Sequence, residues 1–327
     1  MPMYSFEDSQ IAYIGRWAPY EGSMTATAPG SRFRFAYEGQ QAILHFHVFL
    51  LQQPAPHLYI RVDNGAMVEV TLERYVRVQA RGEGRHTVEV ILKSMVEAFP
   101  RWHRPLVNRC SFLGVEVDAL VALPRPQKKK KTIEFVGDSI TEGVLIDAPY
   151  DPMHTDQYDR PFQDDVTATY AWLTAESLGL EPLVMGYGAV GVTKGGQGGV
   201  PKAAEAYPYC FEGAPVTYGH PDYVLINHGS NDGWADSMAY TAGYVALLDA
   251  ILQAHPRTQV IAMSVFNGTH AEALQRLVAE YNERHGQHIL FVDGSHWLPK
   301  DPLHPLRDGH RIAAEKLTAV LREKLAL

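Results

Sequence analysis

A change in hydrophobic pattern near residue 124 limits the fold more than any other feature of the chain. Between about Ser31 and Leu123, apolar and polar residues alternate in short segments such as "FRFAYE", and turns such as Asp63-Asn64-Gly65 separate them. This spacing is typical of a β-sandwich. After residue 131, short apolar strands alternate with segments of helical periodicity, which indicates a parallel sheet covered on both faces. The sequence therefore predicts a β-sandwich followed by an α/β domain.

The length of the chain and its proline and lysine residues place the domain boundary. With 327 residues, the chain is too long for one ordinary core, since domains commonly contain roughly 100–200 residues. In the segment "PRPQKKKK" the prolines stiffen the chain and the repulsion between the lysines extends it, as in a linker. We predict a β-sandwich domain over residues 1–125, a basic linker over 126–131 and a second domain over 132–327. The lysines at 128–131 are interpreted as a solvated linker in preference to a binding patch.

Charge, hydropathy and cysteine content exclude several classes of function. The formal net charge is −8, so nucleic acid is not expected as a partner. No apolar segment approaches the roughly 18 residues of a spanning helix, so no membrane association is expected. The first ten residues show no secretory signal, and Cys110 and Cys210 are too few for a disulfide framework. Both observations predict a cytoplasmic protein.

No metal or other cofactor is expected. His45 and His47 are two residues apart on one predicted strand and therefore share a face. Because no third ligand accompanies them, we interpret them as outward-facing polar residues. The segment "GYGAVGVTKGG" is rich in glycine but lacks the spacing of a phosphate-binding loop.

Polar and glycine-rich segments follow three strands of the predicted parallel sheet, at residues 137–139, 186–193 and 229–232. Sites in such sheets lie beyond the carboxyl ends of the strands, so these segments should meet on one rim. Each is weak evidence alone. A serine such as Ser139 after a strand is most often a helix cap, and Asn231 could form an Asx-turn. The nucleophile-elbow pattern G-x-S-x-G is absent from the chain.

A fourth segment near the end of the chain offers two acid–histidine pairs with the same spacing, Asp293/His296 and Asp301/His304. An acid three residues before a histidine on a loop can accept a hydrogen bond from its Nδ1–H, which leaves Nε2 free to take a proton from a hydroxyl. Asp293 directly follows a predicted strand and could cap it. The second pair lies in a stiff, proline-rich loop, and we favour it for that reason.

Together the four segments resemble the sequence blocks of the SGNH (GDSL-type) hydrolases, in order and in spacing. The matching segments are Gly137-Asp138-Ser139-Ile140-Thr141, residues 188–193 with Gly191 at the glycine of that block, Gly229-Ser230-Asn231-Asp232, and Asp301-Pro302-Leu303-His304-Pro305. The resemblance covers about residues 132–327 and implies a three-layer α/β/α domain with a parallel sheet.

The same resemblance implies roles for individual residues. Ser139 would be the nucleophile, His304 the base and Asp301 the acid that orients it. The backbone N–H groups of Ser139 and Gly191 and the side-chain amide of Asn231 would form the oxyanion hole. With an ordinary histidine pKa of about 6.5 for the base, activity should rise as the pH passes through that value.

A β-sandwich in front of such a domain is similar to the two-domain acetyl esterases of carbohydrate esterase family 2, and a jelly-roll-like sandwich is implied. Asp301 is present here although that family often lacks the orienting acid, and Ser230 stands where threonine is usual. The resemblance implies a carboxylic ester hydrolase. It would remove O-acetyl groups from acetylated xylo- or other oligosaccharides through a Ser-His-Asp triad and an acyl-enzyme.

Two other functions remain open from the sequence. One is a general short-chain lipid-type or thioester hydrolase that uses the same triad. The other is a carbohydrate-binding protein with an inert hydrolase domain. Tryptophan rings stack on sugars, and Trp234 and Trp297 are either substrate-binding or core residues; for Trp102 a core position is favoured.

The segment between Asp147 and Asp165, "DAPYDPMHTDQYDRPFQDD", is an acidic insert after the predicted nucleophile. It would form a wall of the rim, a contact in a homo-oligomer or a solvated loop, and the sequence does not separate these alternatives. The predicted partner is a small-molecule or oligosaccharide ester, and a homo-oligomer stays open.

Overall fold

The computed structural model describes residues 1–124, 130–147, 160–217 and 219–327. Residues 126–129 of the predicted linker and residues 148–159 of the acidic insert lie outside the described residues. Within the described part of the chain, no helix has the length and apolar character needed to cross a membrane.

The N-terminal part is an antiparallel sandwich. Its strands are β1 (Met3–Ser5), β2 (Ala12–Ile14), β3 (Ala18–Tyr20), β4 (Ser23–Ala26), β5 (Arg32–Glu38), β6 (Gln41–Phe46), β7 (His57–Val62), β8 (Val68–Thr71), β9 (Tyr75–Gln79), β10 (Arg85–Ser94), β11 (Cys110–Glu116) and β12 (Ala119–Val121). One six-stranded sheet has the order β3-β4-β11-β6-β9, with β1 beside β11, and the other has the order β12-β5-β10-β7-β8, with β2 beside β5.

The sandwich forms because alternate residues of its strands are apolar and face the opposite sheet. In β6, Ala42, Leu44 and Phe46 are buried while the residues between them are partly exposed. Phe33 of one sheet stacks on Phe112 of the other, with 4.2 Å between ring centroids. The predicted sandwich is confirmed.

The second part is built around a parallel sheet of β13 (Thr132–Gly137), β14 (Glu181–Gly186), β17 (Tyr223–Asn227), β18 (Gln259–Met263) and β19 (Leu290–Val292), in the order β14-β13-β17-β18-β19. A small hairpin of β15 (Tyr209–Phe211) and β16 (Ala214–Pro215) lies outside it. The helices are α1 (Ser139–Glu142), α2 (Arg160–Gln163), α3 (Tyr170–Ser177), α4 (Ala203–Ala206), α5 (Ser237–Ala254), α6 (Ala271–His285) and α7 (Arg307–Leu325).

Helices cover both faces of this sheet, as the sequence predicts for a three-layer domain. Side chains of α3 and α7 pack in one hydrophobic cluster, and those of α4, α5 and α6 pack in another. The strand order changes direction at β13, which has β14 on one side and β17 on the other. Its last residue, Gly137, is in register with Gly186 of β14 and Asn227 of β17. A ligand site is expected beyond these carboxyl ends, at the switch point.

Buried arginines join the sandwich to the α/β domain. The ion pairs are Arg16–Glu134, Arg32–Glu181 and Arg101–Glu142, and the exposed fraction of each of these arginine side chains is 1% or less. Apolar residues of the sandwich also share a core cluster with the α/β domain. Because breaking a buried ion pair is strongly destabilising, these contacts fix how the sandwich is placed against the sheet.

Candidate active site

Ser139 lies where the sheet changes direction. It is the first residue of α1, directly beyond β13, and Asp138 caps the helix by accepting a hydrogen bond from the N–H of Ile140 at 3.0 Å. The turn requires glycine at 137, because a Cβ there would lie 2.1 Å from Oγ1 of Thr141. The tight turn brings the hydroxyl to the rim of the sheet, where it is 7% exposed.

His304 approaches Ser139 from the loop that precedes α7. Its Nε2 lies 2.9 Å from Oγ of Ser139, although the two residues are 165 positions apart. This is the distance expected between a nucleophile and the base that removes its proton. The arrangement brings together the two residues for which the sequence predicts nucleophile and base.

The surroundings keep His304 neutral. The pKa of His304 is lowered to about 4, mainly by burial and in part by the positive charge of Arg160, while the carboxylate of Glu142 acts in the opposite direction. The expectation of an ordinary pKa near 6.5 is wrong, because it ignores the loss of water around the ring and the nearby guanidinium. At neutral pH the imidazole therefore carries no charge and can accept the proton of Ser139.

We expect the acid limb of kcat/KM against pH to have its midpoint near pH 4, with little change between about pH 5.5 and 8. The kcat/KM profile reports the pKa of the base in the free enzyme, and a base with a lowered pKa stays deprotonated to lower pH. Initial rates of p-nitrophenyl acetate hydrolysis measure this dependence.

Acid unfolding is the control for that profile. The pKa values of His228 and His310 are also lowered by burial, to about 4 and about 3. As the pH falls below about 6.5, the unfolded chain binds protons that these folded-state histidines do not, so stability decreases. Each sample should therefore be returned to pH 7 and assayed again. A limb centred near 6.5 in enzyme that recovers fully would contradict the prediction.

The two candidate acids occupy different surroundings. Asp301 is exposed, and within residues 160–217 and 219–327 no hydrogen bond joins it to His304. Asp293 accepts hydrogen bonds from the hydroxyls of Ser264 and Ser295, at 2.8 and 2.5 Å, and so closes the turn after β19. The role of Asp301 as the orienting acid stays a prediction.

Asp301→Asn is expected to lower kcat at least about tenfold, because the Nδ1–H of His304 would lose its carboxylate acceptor. Catalytic hydrogen bonds are often long in the free enzyme and shorten in the complex. Asp293→Asn is the matched control and should change kcat less than about threefold, since Asp293 bonds Ser264 and Ser295 and not the proposed nucleophile or base. Steady-state kinetics of both variants decide the point, and a larger loss for Asp293→Asn would reject the choice of acid.

The side-chain amide of Asn231 lies beside the nucleophile turn. Its Nδ2 donates to Oδ2 of Asp138 and to the carbonyl of Val190, both at 3.2 Å. These acceptors hold the amide between the segments that follow β13 and β14. In the described part of the chain, no acceptor is bonded to the backbone N–H of Ser139. Both hydrogens of the Asn231 amide are engaged by Asp138 and Val190, so one of these bonds would have to break before the amide could donate to an oxyanion. The donor roles of Ser139 and Asn231 stay predictions.

The predicted role of Gly191 requires a backbone N–H that is free to donate to an oxyanion, and this N–H already has an acceptor. Its N–H donates to the carbonyl of Lys194 at 3.0 Å, so it would have to break this bond to reach an oxyanion. Glycine is required at 191 because a Cβ would lie 2.4 Å from the carboxylate of Asp232. That carboxylate accepts the N–H groups of Val192 and Thr193 at 3.1 and 2.9 Å. The donor role of Gly191 stays a prediction.

Three charged residues that lie beside the site were not identified from the sequence. Glu142 ends α1 and pairs with Arg101 from the sandwich. Arg160, in the described C-terminal end of the acidic insert, pairs with Glu97 and Asp164 at 3.3 and 3.1 Å. A charge within an otherwise buried segment signals a buried partner, but the sequence does not identify that partner.

The aromatic and histidine candidates fall into distinct environments. Trp234, three residues after Asn231, is 69% exposed, whereas Trp297 is half-buried against Phe266. Trp102 is buried in the core and packs edge-on against Tyr187. His45 and His47 contact different partners: Nε2 of His45 is 3.0 Å from the carboxylate of Glu116, and Nδ1 of His47 is 3.0 Å from the guanidinium of Arg109.

The chain matches the GDSL-like Lipase/Acylhydrolase family over residues 135–312, more than half of its length. It is similar to the cellulase/esterase CelE of Acetivibrio thermocellus, with 27% identity over 285 residues that cover 79% of this chain and 32% of CelE. The chain thus spans about a third of the length of CelE. It is also similar to the acetylxylan esterase / glucomannan deacetylase of Cellvibrio japonicus, with 24% identity over 339 residues that cover 92% of this chain and 86% of that protein.

The fold is similar to that of a family two carbohydrate esterase from Clostridium thermocellum in complex with cellohexaose. The TM-score is 0.79 at 20% identity, and the match covers 97% of this chain and 99% of that chain. This likeness confirms the predicted two-part fold. The family match confirms the predicted resemblance to the GDSL-type hydrolases.

Proposed function

Because the chain belongs to the GDSL-like lipase/acylhydrolase family, we propose that it is a serine esterase that removes O-acetyl groups from carbohydrates. The observation that carries the proposal is the 2.9 Å contact between Oγ of Ser139 and Nε2 of His304 at the switch point of the parallel sheet. Neutral His304 can accept a proton there at physiological pH.

Acylation begins when Oγ of Ser139 attacks the acetyl carbonyl carbon and its proton passes to Nε2 of His304. The carbonyl oxygen becomes an oxyanion, to which the N–H of Ser139 and the amide of Asn231 donate, with Gly191 as a further proposed donor. As the bond between carbon and the sugar oxygen breaks, His304 returns the proton to that oxygen. The sugar alcohol leaves, and Ser139 carries the acetyl group.

Deacylation repeats these steps with water. His304 removes a proton from a water molecule, whose oxygen attacks the acetyl carbon of the acyl-enzyme. The same donors receive the second oxyanion. When the bond to Oγ breaks, the proton held by His304 returns to Ser139, and acetic acid leaves and gives up its remaining proton to the solvent. Asp301 is proposed to orient the ring and to stabilise the imidazolium in both halves.

The names of the relatives and one exposed side chain support a carbohydrate substrate. One similar protein is named a cellulase/esterase, and the other is named an acetylxylan esterase / glucomannan deacetylase. The ring of Trp234 is exposed only three residues beyond Asn231, and an indole face can stack on a sugar ring. Acetylated oligosaccharides of the xylan or glucomannan type are the proposed substrates.

A series of p-nitrophenyl esters tests the acyl group. We expect acetate to be hydrolysed faster than butyrate or octanoate, whereas a general lipid-type or thioester hydrolase would prefer the longer chains. Release of acetate from acetylated xylo- and manno-oligosaccharides tests the alcohol portion. If no ester is hydrolysed but the oligosaccharides bind, the protein is a carbohydrate-binding protein and the proposal is wrong.

Trp234→Ala is expected to raise KM for an acetylated oligosaccharide about fivefold and to leave hydrolysis of p-nitrophenyl acetate within about twofold, since a stacked ring contributes on the order of 1 kcal/mol. Phe49→Ala is the control, because Phe49 is equally exposed, at 71%, but belongs to the sandwich. Equal effects of both substitutions on the oligosaccharide would remove Trp234 from the proposed binding site.

A further inference from the structure

We infer that Arg101, which the β-sandwich supplies, is a positioning residue for the esterase site. The inference rests on the proposed function and extends it, because it makes the geometry of the nucleophile depend on a residue outside the α/β domain. Arg101 acts through Glu142 and not on the substrate.

Arg101 is fixed at the junction of the two domains. It lies in the loop between β10 and β11, its side chain is 0% exposed, and its guanidinium carbon is 5.0 Å from the ring centroid of Tyr187. Its backbone N–H donates to the carbonyl of Gly198 at 3.0 Å. Both ends of the residue therefore hold the segments that follow β14.

The guanidinium binds Glu142 with two parallel hydrogen bonds, of which the one from Nη2 to Oε2 measures 2.9 Å. Such a bidentate pair fixes the direction of the carboxylate as well as its position. Oε2 of Glu142 also accepts the N–H of Gly188 at 2.7 Å. Since Glu142 ends α1 and Ser139 begins it, one carboxylate ties the nucleophile helix to the loop after β14.

That loop holds the amide donor in place. Val190 lies two residues beyond Gly188, and its carbonyl accepts the amide of Asn231 at 3.2 Å. The helix and the strand end pack without a gap, because a Cβ at Gly186 would lie 2.5 Å from the backbone nitrogen of Glu142. A shift of Glu142 would therefore move the nucleophile relative to the donor, and an error of about 1 Å in such geometry can cost about 10²-fold in rate.

Burial makes Glu142 depend on its partner. Burial raises the pKa of Glu142, and the charge of Arg101 opposes that change. Without the guanidinium, the carboxylate would be a buried unpaired charge, which must take up a proton or turn away. Either response changes how Glu142 accepts the N–H of Gly188.

A second buried arginine allows this role to be separated from simple adhesion between the domains. Arg32 pairs with Glu181 across the same interface and is 1% exposed. Glu181 begins β14, whereas the site lies beyond Gly186 at the other end, about 17 Å along the strand. Loss of this pair should weaken the interface without disturbing the rim.

The experiment compares Arg101→Met with Arg32→Met, using melting temperatures and p-nitrophenyl acetate kinetics well below both transitions. We expect Arg101→Met to lower kcat about 10²-fold with less than about threefold change in KM, and Arg32→Met to keep kcat within about twofold. Added guanidinium at a concentration that does not denature should restore kcat at least fivefold in Arg101→Ala, but not in Arg32→Ala.

The outcomes are separable. An inactive wild-type protein in the same assay would reject the proposed function itself. Active wild type, with Arg101→Met and Arg32→Met losing kcat equally, would reject the positioning role. If Arg101→Met does not fold, Arg101→Lys decides, because lysine keeps the charge but cannot form the bidentate pair. We expect its kcat to fall at least about tenfold, and wild-type kcat in Arg101→Lys would overturn the inference.

Discussion

Ser139→Ala is expected to lower kcat for p-nitrophenyl acetate at least about 10⁴-fold, because the variant lacks the atom that forms the acyl-enzyme. The fold should stay intact, since the change removes one oxygen whose hydrogen bond is to His304 and adds no atom to the turn. Rates of the purified variant, together with its circular dichroism and melting temperature, measure both parts of this expectation.

Ser264 provides the matched control for that substitution. It follows β18 at the same rim and is 1% exposed, but its hydroxyl bonds Asp293 and the N–H groups of Gly294 and Ser295. Ser264→Ala should lower the melting temperature and leave kcat within about threefold. An acetyl group found covalently attached to the peptide that contains Ser139, after the reaction is quenched, would identify the acyl-enzyme directly. Activity retained by Ser139→Ala would exclude the proposed nucleophile.

The fold was predictable where the hydrophobic pattern is long and regular. Strands such as β5 and β10 and helices such as α6 and α7 carry it over many residues, and the change near residue 124 separates the domains. The strands of the first thirty residues, β1 to β4, are three or four residues long, too short for an alternation to be recognised. The hairpin of β15 and β16 could not be predicted for the same reason, since its strands have three and two residues.

The contact between Ser139 and His304 was predictable because both residues lie in local sequence blocks and parallel strands end on one rim. The support of the site was not predictable in this way. The partner of Glu142 is Arg101, 41 positions earlier and in the other domain, and no local pattern marks such a pair. The pKa of His304 depends on burial and on Arg160, which are properties of the folded chain.

Gly191 illustrates how a matching residue can have a second reason to be glycine. A motif comparison assigns its N–H to the oxyanion hole, whereas the structure shows that the absence of a Cβ admits the Asp232 carboxylate. By accepting hydrogen bonds from Val192 and Thr193, that carboxylate holds the loop after β14 in place. The amide of Asn231 donates to the carbonyl of Val190 in the same loop. The sequence identifies the residue, and only the packing identifies which of its atoms matters.

His304→Ala is the second substitution with a large expected effect, a loss of kcat of at least about 10⁴-fold. Without the imidazole, the hydroxyl of Ser139 has no base at 2.9 Å and the leaving sugar oxygen has no proton donor. Because the side chain is removed from a half-buried loop position, added imidazole can enter the space and act as the base. We therefore expect imidazole to restore a measurable part of kcat.

The rescued enzyme also tests why the base is neutral. If burial and Arg160 lower the pKa of His304 to about 4, an imidazole that is not tethered must titrate mostly in solution, near the ordinary value of about 6.5. The acid limb of the rescued rate should then move upward by about 2.5 pH units relative to wild type. His296→Ala, the control from the competing acid–histidine pair, should keep wild-type kcat. A rescued limb that stays near pH 4 would mean that a group other than His304 sets the profile.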